Sequence, residues 1–130
     1  MVTKSPQAAA ALPSPQEAAI ILLRLIELRE KESLPATRVR ISELTLRRLW
    51  GRSKIRTEFF EEVQEWLARG GWTLFFAHDT YAAIRTNAVR SWARLSSKRL
   101  ANDLELIRKG KFDFQAYAYL LDDMDDTSDD

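Results

Sequence analysis

RVRISELTLRRLWGRSKIRTEFFEEVQEWLAR, residues 38–69, holds two amphipathic segments separated by a turn at Trp50-Gly51-Arg52. Ser42 is a good N-cap residue for the first segment, in which Leu44, Leu46 and Leu49 follow Ile41 as apolar positions and Gly51 is the stop. In the second segment, Ile55, Phe59, Val63, Trp66 and Leu67 recur at spacings of three and four. That spacing puts them on one face of a helix running from about Ser53 or Arg56 to Arg69, where Gly70-Gly71 ends it. The next stretch, Trp72 to Arg85 (WTLFFAHDTYAAIR), has two short apolar runs around His78-Asp79-Thr80, which predicts a β-hairpin with its tip at Ala77 to Thr80.

Working toward the N-terminus, Ser14 and Pro15 are suited to opening a helix, and Glu17 favours its positive end. Ile20, Ile21, Leu23, Leu25, Ile26 and Leu28 make an apolar stripe wider than one packing face needs, so the surplus serves the core or a contact with a second subunit. This helix ends before Pro35. Residues 1–14 are rich in Ala, Pro, Ser and Gln and read as a flexible arm. Toward the C-terminus, Thr86 or Asn87 can cap a short helix holding Ala88, Val89, Trp92 and Leu95, or the segment stays extended with Trp92 as an anchor. Ser96 or Ser97 starts a clearer helix that stops at Gly110. FDFQAYAYLL, residues 112–121, predicts a further short helix capped by Asp113.

The 130 residues suit one compact domain with ragged ends, residues 15–121, followed by an acidic tail, residues 122–130. The absence of cysteine excludes disulfides, thiolate metal sites and cysteine nucleophiles, and it fits a reducing cytoplasm. No uncharged apolar run approaches the ~18 residues a bilayer span needs, so an intracellular chain without membrane contact is expected. Catalysis is not expected. His78 has no nucleophile in a known motif beside it, and the four glycines all lie at predicted helix ends rather than in a phosphate loop. The aspartates of the tail lack the glycine and terminal glutamate of a calcium loop, so neither metal nor cofactor is expected.

The order helix, strand, helix, helix, hairpin over Pro15 to Thr86 resembles the winged helix-turn-helix superfamily of DNA-binding domains, with Arg38-Val39-Arg40-Ile41 as the short strand. The resemblance implies a mainly α, α+β fold with a short wing and extra C-terminal helices. It also implies a double-stranded DNA-binding protein, a transcriptional regulator or an accessory factor in replication or partition, and a homodimer by analogy.

Charge supports the same expectation. Seven bases and one acid lie between Arg38 and Arg56, and without the six aspartates of the tail the formal charge would be +7 rather than +1. The candidate contact is the start of the third helix, where free backbone N–H groups favour phosphate. Ser53 and Thr57 can donate there, and Arg52, Lys54 and Arg56 add charge or read guanine edges. Arg47 and Arg48, taken as solvent-facing, add phosphate contacts; Arg85 adds a wing-side contact near the end of the hairpin, and His78 reaches a minor groove from its tip.

Glu58, Glu61, Glu62 and Glu65 oppose deep entry of that helix, so only its first turn would meet the duplex. Otherwise the acidic face meets water, the common fate of such a face, or a protein; a protein-interaction module is the alternative function. The tail is a solubilising end, a mimic of nucleic acid that competes for the basic face, or a docking segment. The tryptophans could stack on single strands, but their spacing with Leu and Ile assigns most of them to the core.

Overall fold

Ser14 and Glu17 cap each other at the head of the first helix: Ser14 Oγ accepts from the Glu17 amide at 3.2 Å, and Glu17 Oε1 accepts from the Ser14 amide at 2.9 Å. The helix that follows, α1, is Pro15–Glu32, with Pro15 in the first turn, where its missing N–H costs nothing. The computed structural model describes residues 11–32 and 35–122, which divide into two units between Trp92 and Ala93. Most of the expected arm and nearly all of the acidic tail, residues 1–10 and 123–130, lie outside the described residues.

In the first unit, β1 (Arg38–Ile41) leads into α2 (Glu43–Trp50), whose cap is Ser42, accepting from the Thr45 amide at 3.1 Å. Gly51 ends α2 in the left-handed region at φ 64°, and the Arg52 amide reaches back to the Arg47 carbonyl at 3.0 Å. Any side chain at position 51 would be strained, and its Cβ would lie 3.3 Å from Leu12 Cδ2. The next helix, α3, is Thr57–Arg69. Then β2 (Trp72–Ala77) and β3 (Thr80–Arg85) form an antiparallel ribbon, and β1 adds to β3, giving the strand order β1-β3-β2. The unit is a mixed α+β structure in which three helices and one face of a three-stranded antiparallel sheet share a core, with α3 packed against β2 and α1 against α3 and α2.

The core lies between that face and the helices. Alternation along the strands turns Val39, Ile41, Trp72, Leu74, Tyr81 and Ala83 inward. They meet Ala18, Ala19, Leu22 and Ile26 of α1, Leu46 and Trp50 of α2, and Val63 and Leu67 of α3. Trp50 is fully buried, and its indole N–H donates to the Ala18 carbonyl at 3.1 Å, tying the end of α2 to α1. Gln64 donates to the Leu74 carbonyl at 2.7 Å and joins α3 to β2. Tyr81 packs between Phe60 and Phe76, and burial pushes its phenol above the ordinary 10.0. After β3, the helix expected from Thr86 or Asn87 is a 3-10 segment, Thr86–Ser91, and Trp92 beyond it is exposed rather than an anchor.

The second unit begins with Ser96, whose hydroxyl accepts from the Lys98 amide at 3.1 Å, capping a 3-10 turn (Ser97–Leu100) that continues as α4 (Ala101–Arg108). Gly110 stops the chain's rise at φ 73°. The expected C-terminal helix is a 3-10 segment, Phe114–Leu121, with Asp113 accepting from the Ala116 amide at 3.3 Å. Among the described residues, no helix is long and apolar enough to cross a membrane.

Candidate nucleic-acid interface

The connection between α2 and α3 is braced from both sides. Arg47, on the last turn of α2, donates to the Ser53 carbonyl at 3.3 Å and lies 3.7 Å from Glu43. Arg52 donates to the Pro13 carbonyl at 2.8 Å and stacks its guanidinium 3.8 Å over the Phe59 ring. Phe59 in turn meets Trp50 edge-on at 5.5 Å. Both arginines are half-buried, with Nε atoms out of water. They set the angle at which the chain enters α3. Arg47 is therefore only partly solvent-facing, with 37% of its side chain exposed and one guanidinium nitrogen bonded across the turn.

Arg48, Ser53, Lys54, Arg56 and Thr57 remain exposed, and among the described residues none of the three cations has an acidic partner. Arg56 is the N-cap of α3, with φ −83° and ψ 150° and no capping side chain. The first intrahelical bond runs from the Phe60 amide to the Arg56 carbonyl at 2.9 Å, so no side chain of the cap covers the preceding amides. A cation at this end opposes the helix dipole, which favours an anion. The arrangement therefore suits an incoming phosphate better than it suits α3 alone.

His78 and Arg85 are far apart. His78 sits exposed at the ribbon tip with φ 63°, and the Asp79 amide bonds to the Ala77 carbonyl at 2.6 Å, a γ-turn of the strained, positive-φ kind. Arg85 lies at the base of the ribbon, roughly 20 Å away at ~3.3 Å per residue. Its guanidinium pairs with Glu30 at 3.1 Å, donates to the Ala36 carbonyl at 3.3 Å and lies 4.7 Å from the Trp72 ring centre. Glu30 also accepts from the Ala36 amide at 3.0 Å, so Arg85 locks the approach to β1 rather than standing free beside a wing. Glu58, Glu61, Glu62 and Glu65 are all exposed on the outer side of α3, and no ion pair joins them to the arginines. No family model, characterised protein or solved structure matches the chain, which leaves its own residues and geometry as the ground for a function.

Proposed function

We propose that the first unit is a winged helix-turn-helix that binds double-stranded DNA with the start of α3, as a transcriptional regulator or an accessory factor in replication or partition. The order α1-β1-α2-α3-β2-β3 and the strand order β1-β3-β2 support the fold. One observation carries the function: Ser53, Lys54, Arg56 and Thr57 are exposed together at a helix N-terminus that has no capping side chain. Backbone N–H groups and two cations there would grip phosphate, with Arg48 beside them and His78 reaching from the ribbon tip. The glutamates keep the later turns of α3 out of the groove, so α3 enters by its first turn and tilts away.

A salt-titrated binding assay on a short duplex tests this reading. Lys54→Ala with Arg56→Ala is expected to weaken binding and to make the salt dependence shallower by about two in log–log slope, roughly one per lost phosphate contact. Unchanged affinity and slope would reject the duplex contact. The exposed glutamates favour a second reading, in which α3 presents an acidic face to a basic protein. Under that reading, Glu61→Gln with Glu65→Gln abolishes partner capture and leaves DNA affinity unaltered.

A further inference from the structure

The outer face of the sheet has a chemistry different from that of the α3 turn. Strand alternation that sends Val39 and Ile41 inward leaves Arg38 and Arg40 on the opposite face. One row across the three strands runs Arg40, Ala82, Phe75. Adjacent strands lie ~4.8 Å apart, so the arginine and the ring stand about 10 Å apart with only a methyl group between them. Trp92 borders the same groove, whose volume is about 430 Å³. Phe75 is 41% exposed and Trp92 55% exposed, against 0% for Trp50 and 3% for Trp72 in the core. Among the described residues, neither Arg38 nor Arg40 has an acidic partner.

Two accessible rings and two unneutralised guanidinium groups around an apolar floor of Ala82 and the buried Ile84 call for a ligand that is both flat and anionic. A bare apolar partner would leave the arginines without counter-charge. A duplex keeps its bases stacked on one another and offers few ring faces. A single strand supplies both parts, because its bases are free to stack on aromatic side chains while its phosphates meet the cations.

We propose that the outer sheet face around Arg38, Arg40, Phe75 and Trp92 binds single-stranded nucleic acid, at a surface separate from the duplex contact at α3. Bases stack on Phe75 and Trp92, and Arg38 and Arg40 hold the phosphates.

Fluorescence anisotropy with a labelled dT12 strand, using the full chain, tests the proposal. Phe75→Leu and Trp92→Leu, which keep apolar bulk but lose the ring, are each expected to weaken dT12 binding at least about five-fold. Phe75→Tyr and Trp92→Phe, which keep a ring, are expected to retain most of the affinity. Arg38→Ala with Arg40→Ala weakens binding and lowers the salt slope by roughly 1.4. The Phe75→Leu and Trp92→Leu variants are expected to leave affinity for a short duplex unchanged, so this surface and the α3 site can fail independently. Absence of dT12 binding at low salt overturns the proposal. So does equal binding by the ring-less and ring-keeping variants, or loss of dT12 binding only in the Lys54/Arg56 variant.

Discussion

Arg56 occupies a position where helix stability and anion binding pull in opposite directions. An N-cap favours Ser, Asp, Asn or Thr, whose side chain accepts from the first-turn amides, whereas Arg56 supplies no such bond and adds a positive charge at the positive end of α3. Arg56→Ser is therefore expected to raise stability by about 1 kcal/mol, read by denaturant unfolding, while weakening duplex binding. Loss of stability with unchanged binding would show that Arg56 serves the fold instead. His78 presents a similar conflict at the ribbon tip: a non-glycine residue at φ 63° costs on the order of 1–3 kcal/mol, and glycine would avoid it. Both outliers lie at exposed points of the proposed duplex surface, where local strain is compatible with a binding role. Arg47 and Arg52 are different. The Arg47 guanidinium donates to the Ser53 carbonyl, and that of Arg52 donates to the Pro13 carbonyl and stacks on Phe59, so they hold the turn that presents the exposed residues.

Elements with a regular period and strong stops were legible in the sequence. Ser42, Gly51 and the apolar spacing of residues 59–67 mark α2 and α3, and the hairpin tip falls where His78-Asp79 interrupts two apolar runs. The 3-10 form of residues 86–91 and 114–121 was not legible, because these segments bury no side chain whose period could distinguish one helix type from another. Nor were the tasks of Arg52 and Arg85, which depend on neighbours 39 and 55 residues away along the chain. The alternation in Arg38-Val39-Arg40-Ile41 did hold a signal for the outer sheet face, since a strand must send both arginines to the same side. On α1, the surplus apolar stripe expected from the sequence is present: Ile21, Leu25 and Leu28 follow at helical spacing and remain exposed. We propose that a second copy covers this stripe. Leu25→Glu is then expected to convert a dimer into a monomer in sedimentation equilibrium, and a wild-type chain that sediments as a monomer at high concentration would refute the contact.

At the scale of the whole chain, the two units differ in what holds them. The first has a continuous core around Leu22, Leu46, Trp50, Val63, Leu67 and Leu74, all essentially removed from water. In the second, none of the described residues is buried, so its supports are local: caps, the ion pairs of Glu105 with Arg108 and Lys109, and the ring contacts of Phe112 with Phe114 and Tyr117. Under the proposed function, the positive charge outside the aspartate tail would supply a long-range attraction for a polyanion, and the exposed start of α3 would supply the local grip. The most direct measurement of that grip is amide NMR of the isotope-labelled chain titrated with a short duplex. Shifts centred on residues 53–59, with smaller ones at 77–80 and little change at Glu61, Glu62 and Glu65, are the predicted result. Shifts centred on those glutamates, or none at low salt, would contradict it.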